Sequence, residues 1–213
     1  MAPQLKSRTK TIIQRLKRYY PHAHCALQFT SPLELLVATV LSAQCTDERV
    51  NKVTPELFRC HKNAKDYAAA ELPQLEQHIN STGFFRAKAK ALQGIGKELV
   101  AKHNGEVPRD FAALVKLPGV GRKTANVVMG NAFHEASGIV VDTHVKRVAF
   151  RLGLTRAQRP EKIEAELSAL VPISDWIMFS HWLIFHGRQI CKARKPLCER
   201  CVLEGLCPKR GVG

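Results

Sequence analysis

One segment of the sequence is the most informative about the structure: Leu117-Pro118-Gly119-Val120-Gly121-Arg122-Lys123-Thr124-Ala125-Asn126-Val127-Val128. Proline fixes one backbone angle, and two glycines two positions apart permit angles that other residues resist, so the first five residues predict a tight turn. The residues after the turn have helical periodicity, so the turn leads into the N-terminus of a helix. Free N–H groups and the positive end of the helix dipole favour an anion there, such as a phosphate.

Lys123 falls in the first turn of this helix, where the dipole opposes a positive charge and favours the free amine. A second motif, Val140-Val141-Asp142-Thr143-His144, precedes another helical run, and Asp142 can cap its N–H groups while staying ionised. A lysine biased towards neutrality near a fixed carboxylate forms a nucleophile pair. Each residue also has an ordinary interpretation, because most lysines are solvated or contact phosphate and many such aspartates only cap a helix.

Together the two motifs resemble those of the helix-hairpin-helix DNA glycosylases, and within them the endonuclease III family. In that family the lysine after the hairpin is the nucleophile, and the aspartate of the Val-Asp-Thr-His motif is the second catalytic group. By position, the resemblance assigns these roles to Lys123 and Asp142. It implies DNA contacts for further residues of the two motifs, namely Leu117, Gly119, Val120, Gly121, Arg122, Thr143 and His144.

The composition favours a nucleic-acid partner. The 213 residues carry a net charge of +15, which points to a polyanion, with nucleic acid ahead of an acidic membrane surface. Hydrophobic residues make up 45% of the chain, enough for folded domains with real cores. The longest apolar run, about residues 33–43, is too short to span a bilayer, and no secretory signal is evident. We therefore expect no membrane association, and the resemblance implies a cytoplasmic, nucleoid-associated protein of bacterial type.

The N-terminal segment allows two interpretations. Residues 1–20 contain six lysines or arginines and no acidic residue, as a mitochondrial targeting peptide would, and Ile12, Ile13 and Leu16 lie at helical spacing. We favour a first domain helix, because the pattern runs directly into Tyr19-Tyr20-Pro21 without a cleavage-like stretch.

Helical patterns continue through the rest of the chain. A capping box, Ser31-Pro32-Leu33-Glu34, opens a nearly all-apolar helix to about Ala43 that should be buried on most sides. Gly94 and Gly96 lie inside a long helical stretch, where each costs about 1 kcal/mol against alanine, and they predict a bend. No segment alternates at period two for long, so the fold is all-α. The other predicted helical segments are at about 47–53, 55–60, 72–79, 85–103, 143–152, 160–170 and 175–186.

Two loops carry candidates for entering the DNA. Gln44 follows the apolar helix, just before Thr46, a predicted cap; taken alone it is an ordinary helix-end amide, but the family has a glutamine here that enters the DNA near the lesion. The adjacent aromatics Phe84 and Phe85 follow Gly83, and such a pair either packs in the core or supplies a wedge between bases. The family places an apolar wedge after this glycine, often a leucine, so the resemblance assigns the wedge to Phe84.

Four of the seven cysteines lie near the end of the sequence in the spacing C-x6-C-x2-C-x5-C: Cys191, Cys198, Cys201 and Cys207. Four thiolates suit Zn²⁺ or an iron–sulfur cluster, and a single close pair favours the cluster only weakly. The spacing resembles the [4Fe–4S] loop of the endonuclease III family, which implies that cofactor. The loop also carries basic residues, among them Lys192, that can meet DNA phosphates.

From these features we expect two helical domains that flank a DNA-binding cleft. One would span residues 25–135, with the helix-hairpin-helix motif at about 111–130. The other would combine residues 1–24 with 136–213, including the cluster loop at 191–207. The resemblance implies a monomeric bifunctional DNA glycosylase and abasic-site lyase of base excision repair. Its partner would be double-stranded DNA containing oxidised pyrimidines or abasic sites, bound between Lys123 and Asp142.

In the implied reaction the damaged nucleotide is flipped out, Lys123 attacks C1′ and displaces the base, and the Schiff base permits β-elimination 3′ to the abasic site. Asp142 either activates the lysine or stabilises positive charge on the sugar. One alternative function is the adenine-mispair glycosylase of the same superfamily, which lacks a lysine at the position of Lys123 and usually carries an extra C-terminal domain. Another is a non-catalytic DNA-binding helix-hairpin-helix protein, in which both catalytic groups would be present by coincidence.

Overall fold

The computed structural model describes residues 2–212, and every regular element in that range is helical, which confirms the all-α prediction. Within the same range, no helix combines the length and apolar character needed to cross a membrane. The α-helices in chain order are α1 (Ala2–Tyr19), α2 (Pro32–Leu41), α3 (Asp47–Cys60), α4 (Ala64–Ala69), α5 (Leu72–Ile79), α6 (Phe85–Lys102), α7 (Phe111–Leu114), α8 (Arg122–Ala132), α9 (Thr143–Arg151), α10 (Pro160–Ser168) and α11 (Trp176–Gln189). Short 3-10 helices lie at Asn80–Thr82, Ile173–Asp175, Cys198–Arg200 and Glu204–Leu206.

The described residues form two compact units, each with its own buried apolar core. The central unit comprises residues 25–137 and contains α2 to α8. The terminal unit joins the residues up to His24 to those from Gly138 onward, and contains α1 and α9 to α11.

Helix α2 is the buried centre of the central unit. Its residues from Leu35 to Leu41 are all buried, and it packs against α3, α6 and α8. Its start follows the predicted capping box only in part. The Ser31 side chain accepts the N–H of Glu34 at 3.2 Å, but the Glu34 carboxylate accepts the N–H of Thr30 at 2.6 Å instead of that of Ser31. The same carboxylate oxygen also accepts the Thr30 hydroxyl, at 2.8 Å, so the bond expected to Ser31 is replaced by two bonds to the residue before it.

Helix α3 corrects the prediction of two separate segments, because it runs unbroken through Pro55. Proline lacks the N–H of a helical bond and normally interrupts a helix. Here Val50, Thr54 and Leu57 are buried on both sides of the proline, so packing of one face holds the helix together. Thr46 caps it as predicted, accepting the N–H of Arg49 at 3.2 Å.

Helix α6 is also uninterrupted, and its two interior glycines serve close packing. A Cβ added at Gly96 would lie 2.5 Å from the backbone nitrogen of Ala68 in α4, a helix that the sequence prediction lacked. A Cβ at Gly94 would lie 3.0 Å from Cγ of Pro118 in the predicted turn. The two glycines therefore allow α6 to approach both α4 and the turn.

In the terminal unit, the basic N-terminal segment is a packed helix. Ile12 and Leu16 of α1 are fully buried, and α1 packs against α11. The Arg8 guanidinium donates to the carbonyl of Leu152 at 2.6 Å and to that of Leu206 at 2.8 Å. This arginine ties α1 to the end of α9 and to the cysteine-containing segment.

Candidate active site

The predicted turn joins α7 to α8 and depends on one of its two glycines. The N–H of Val120 donates to the carbonyl of Leu117 at 3.1 Å, which closes the turn. Gly119 has a φ of +72°, in the left-handed region that favours glycine. Gly121 is extended, with a φ of −93°, and precedes α8 as its N-cap without a side-chain hydrogen bond. The turn itself therefore requires glycine only at position 119.

Of the hairpin residues predicted to contact DNA, some are buried and others are exposed. The side chains of Leu117 and Val120 are buried in the central core, at 4% and 5% exposure. Gly119 and Gly121 are exposed, and a Cβ added at Gly121 would meet no atom within 4 Å. The hairpin thus offers a ligand its backbone, and Leu117 and Val120 have only main-chain groups to contribute.

Lys123 is the second residue of α8, and its side chain is exposed. The neighbouring Arg122 places its guanidinium 5.0 Å from the centre of the Phe111 ring of α7, a cation–π contact. Buried Ala125 and Val128 anchor the helix to the core. A rigid helix end therefore carries an amine and a guanidinium beside N–H groups that no helical carbonyl accepts.

Asp142 caps α9, as its position in the sequence predicts. One carboxylate oxygen, Oδ1, accepts the N–H of Val145 at 2.7 Å, and the residue is half-buried. Thr143 beside it is exposed. The chain before the cap is held in place because the N–H of Val140 donates to the hydroxyl of Ser180 in α11 at 3.0 Å. The carboxylate therefore has one oxygen committed to its own helix, where the dipole stabilises its charge.

His144 is half-buried and held by an arginine of the same helix. Its Nδ1 lies 3.1 Å from Nη2 of Arg147, which also donates to the carbonyl of Gly187 at 2.9 Å. Burial lowers the pKa of His144; the Asp142 carboxylate opposes this shift and the charge of Arg147 adds to it. A neutral imidazole at neutral pH follows from that direction.

Gln44 and Phe84 share an unusual backbone conformation on the central unit. Their φ angles are +53° and +48°, in the left-handed region that side chains with a Cβ rarely adopt, and both residues are exposed. Phe84 is 67% exposed, whereas the adjacent Phe85 packs against the central core. The core interpretation therefore applies to Phe85 and not to Phe84. Strained backbone at exposed residues is a feature of ligand-contacting sites.

The four cysteines of the C-terminal motif line one cavity, together with Val148, Arg151 and His186. Burial raises the pKa of the Cys201 and Cys207 thiols, so a bound cation is needed to favour their thiolates. A single-ion site needs at least three His, Cys, Asp or Glu side chains with their ligand atoms close together. Within residues 2–212, the one such group with all ligand atoms within 4.8 Å of one another is Glu56, Cys60 and His78. No three of the four sulfurs are that close. Such wide spacing fits a multi-iron cluster better than a single zinc ion.

Comparison with known proteins identifies the family of this chain. Residues 37–172 match the model of the HhH-GPD superfamily of base excision DNA repair proteins, and residues 191–207 match the iron–sulfur binding domain of endonuclease III. The endonuclease III of Synechocystis sp. is 53% identical over 203 residues, which cover 95% of this chain and 93% of that protein. This chain belongs to the endonuclease III family.

Solved structures agree with the family assignment. A non-covalent endonuclease III–DNA complex matches with a TM-score of 0.91 and 46% identity, covering 96% of this chain and 95% of that one. A trapped covalent endonuclease III–DNA intermediate matches with the same TM-score and identity, covering 96% of each chain. As a member of the endonuclease III family, the chain is a DNA glycosylase and abasic-site lyase of base excision repair.

The family also fixes the cofactor, a [4Fe–4S] cluster, as the sequence predicted. The cavity lined by all four cysteines fits such a cluster. Around it the exposed side chains of Lys192, Arg194, Lys195 and Arg200 form a basic surface, the cluster-loop surface.

Two arginines of α9 connect this endonuclease III-type loop to the helix that Asp142 begins, and the sequence prediction missed both. Arg147 donates from Nε to the carbonyl of Cys191 at 3.1 Å. Arg151 is buried and donates to the carbonyls of Lys192 at 2.7 Å and Ala193 at 2.8 Å, with a longer contact of 3.4 Å to the sulfur of Cys191. Their spacing of four residues puts both on one helix face, and this was the available signal.

Proposed function

We propose that this enzyme removes oxidised pyrimidines from double-stranded DNA and cleaves the strand 3′ to the resulting abasic site, with Lys123 as the nucleophile. The observation that carries the proposal is the likeness, over 96% of the chain, to an endonuclease III trapped covalently on DNA. A covalent intermediate needs a nucleophile, and Lys123 supplies an exposed amine at the start of a rigid helix.

The DNA backbone would be held by main-chain groups of the hairpin and by basic side chains. The Cβ position of Gly121, just before α8, is open space, so a phosphate oxygen can approach the start of the helix there. Arg122, Thr143 and the cluster-loop surface add exposed polar and charged groups. Each phosphate contact of this kind carries no sequence information, which suits an enzyme that must act wherever damage occurs.

Gln44 and Phe84 would enter the duplex at the lesion. Phe84 offers an apolar ring of a size that wedges between base pairs, and Gln44 offers an amide that can hydrogen-bond to a base left without its partner. Extrusion of a nucleotide costs a few kcal/mol, and least for a poorly stacked base. Because Gln44 and Phe84 would fill the gap that the extruded nucleotide leaves, entry is easiest at damaged sites.

The chemistry then follows from the side-chain nitrogen of Lys123. The nitrogen attacks C1′, the C1′–N bond to the base breaks, and the base leaves with a proton. Opening of the sugar ring leaves an iminium between Lys123 and C1′. Loss of a proton from C2′ allows the C3′–O bond to break, which releases the 3′ strand with its phosphate, and water then hydrolyses the imine and restores the amine.

Asp142 would balance charge during these steps. Its cap bond to Val145 occupies one oxygen and fixes the carboxylate orientation, and the charge near a developing cationic sugar lowers the barrier. The same group can accept the proton that the Lys123 nitrogen gives up in forming its bond to C1′, and both roles need an ionised carboxylate. His144, kept neutral by burial, would bind DNA through its ring without adding charge.

We further propose that Cys191, Cys198, Cys201 and Cys207 are the cluster ligands. They are the four cysteines that line the cavity. When bound, the cluster would cross-link the loop through these four cysteines, and the loop would then present the basic residues of the cluster-loop surface to phosphate.

Borohydride trapping tests the nucleophile. In Lys123→Gln, covalent trapping on a duplex with a single oxidised pyrimidine should vanish, because the amine that forms the Schiff base is gone, while binding to the same duplex persists. Lys116→Gln is the matched control, since Lys116 is an exposed lysine of the same hairpin. Trapping by Lys123→Gln at the level of Lys116→Gln would show that another residue is the nucleophile.

A further inference from the structure

A buried lysine of the central unit has no part in the chemistry above. Lys88 lies one turn into α6 and is only 5% exposed, although a lysine is among the residues least often buried. Burial lowers its pKa, and the nearby thiol of Cys45 opposes the shift. A buried ammonium costs free energy unless hydrogen bonds compensate it.

The Lys88 ammonium donates two such bonds, both to main-chain carbonyls that end a helical segment. Its Nζ lies 2.8 Å from the carbonyl oxygen of Leu41, the last residue of α2. The same Nζ lies 2.7 Å from the carbonyl oxygen of Thr82, the last residue of a 3-10 helix. Terminal carbonyls carry the negative end of a helix dipole and have no helical donor, so a cation satisfies them well.

The loops that carry the proposed DNA-entering residues begin at these two carbonyls. Leu41 precedes Gln44 by three residues, and Thr82 precedes Phe84 by two. The backbone N–H of Lys88 also donates to the carbonyl of Phe84 at 3.1 Å, so Lys88 holds the second loop on both sides of Gly83. One atom, Nζ, therefore sets the spacing between the two left-handed turns.

We propose that Lys88 is a positioning residue that joins the 41–45 and 82–84 loops into one rigid clamp, so that Gln44 and Phe84 enter the duplex together at one base pair. The inference rests on the proposed function, because it requires that both residues enter DNA. An apolar side chain of the same length would fill the space in the core but would leave the two loops free to move independently.

The test compares Lys88→Met, which keeps the length and loses the donors, with Lys90→Met, which removes an exposed lysine two residues along the same helix. Base release is measured on a duplex with one oxidised pyrimidine, and strand cleavage on a single-stranded oligonucleotide with one abasic site. For Lys88→Met we expect at least about a ten-fold lower kcat/KM on the duplex, the scale of a misplaced binding group. Cleavage of the single strand should stay within about two-fold of wild type, because no base stack has to be opened.

A double-mutant cycle adds a measurement that a general loss of stability would not move. Phe84→Ala and Gln44→Ala are each made in the wild-type and in the Lys88→Met background. Coupled loops predict that each alanine costs clearly less in the second background than in the first, since the clamp is already broken. Equal cost in both backgrounds, or equal losses on duplex and single strand, overturns the inference.

Further outcomes separate this inference from the proposed function. If Lys88→Met behaves like Lys90→Met while Phe84→Ala is impaired, the clamp is wrong and the proposed function stands. If Gln44→Ala and Phe84→Ala both act at the wild-type rate, the entry of these residues into DNA is wrong and the clamp falls with it. Should Lys88→Met not fold, the cycle is repeated with Lys88→Leu, an apolar side chain that likewise lacks donors. If neither variant folds, Lys88 is required by the core, and a role in positioning alone is excluded.

Discussion

The central and terminal units hold their candidate functional groups by different means. In the central unit, Gln44, Phe84 and Lys123 are exposed and stand on backbone turns or a helix start above an apolar core. In the terminal unit, Asp142 and His144 are half-buried and held by hydrogen bonds to their surroundings. Backbone geometry thus positions one set, and side-chain networks position the other. A substitution in the first set should affect function with little effect on stability, whereas one in the second set should often affect both.

The largest expected effect comes from substitutions that separate the two roles of Asp142, as the cap of α9 and as a negative charge. Asp142→Asn keeps a side chain that caps α9 and removes the charge, so base release should fall about a hundred- to ten-thousand-fold while stability stays nearly unchanged. Asp142→Ala should lose the same activity and also about 1 kcal/mol of unfolding free energy. Rates on a lesion duplex and urea unfolding measure the two quantities.

A pre-formed abasic site supplies the control for Asp142→Asn. Its aldehyde is already exposed, so borohydride should still trap the variant there, slowly. Loss of that trapping together with base release would mean that the substitution disables Lys123 itself.

The next effect concerns the arginine that holds the cluster loop. The wild-type enzyme, purified without air, should contain about four irons per chain and no zinc. Arg151→Met removes charged donors to two loop carbonyls and should cost about 2–3 kcal/mol of stability. Release of iron to a chelator should be faster in this variant, and Arg156→Met, at an exposed arginine shortly after α9, should match wild type. Equal release from both variants would contradict the role of Arg151.

Alanine at two glycines of the central unit should have smaller effects, mainly on stability at Gly96 and mainly on DNA binding at Gly121. Gly96→Ala forces a methyl group against the backbone of α4, and should cost about 1–2 kcal/mol, since overpacking exceeds the gain in helix propensity. Gly121→Ala has open space and an ordinary φ, so its cost in stability should come only from the weaker N-cap preference of alanine, about 1 kcal/mol or less.

For Gly121→Ala we expect weaker binding to damaged and undamaged duplex alike, because the methyl group obstructs a phosphate at the start of α8. A fluorescence-anisotropy titration at constant salt measures this. Full affinity in Gly121→Ala would show that the helix start does not meet the DNA backbone.

The smallest effect is a pH dependence of the terminal unit. Burial lowers the pKa of His181 from 6.5 to about 4, so the unfolded state takes up its proton first as the pH falls. Stability from this group is complete above about pH 6.5 and decreases towards about pH 4. Between about pH 7.5 and about pH 5.5 the wild type should lose about 1 kcal/mol more than His181→Gln, as measured by urea unfolding. Parallel pH profiles for the two proteins would contradict this.

Local sequence patterns predicted much of the fold and the identity of the candidate site. The turn before Lys123, the caps at Thr46 and Asp142 and the buried helix α2 follow from residues within a few positions of one another. Short-range chemistry of this kind is written directly in the sequence.

What the sequence did not predict depends on contacts between distant residues. Leu117 and Val120 are buried because other helices cover the hairpin, and no local pattern distinguishes them from exposed contacts. Arg151 reaches residues about forty positions later, and Lys88 reaches Leu41, forty-seven positions earlier. The left-handed backbone of Gln44 and Phe84 carries no glycine signal, because strain at such residues is supported by the surrounding structure.

The bond from Arg8 to Leu206 joins residues 198 positions apart, and this separation bears on how the chain folds during translation. The ribosome releases α1 before the central unit, but the partners of α1 in α9, α11 and the cysteine segment emerge only after the whole central unit has been synthesised. The central unit, which is continuous in sequence, can fold as it leaves the exit tunnel. Until then, the apolar face of the basic N-terminal helix has no partner to pack against. Closure of the terminal unit is therefore a late event, and a nascent chain arrested before Cys191 would expose a helix that chaperones can recognise.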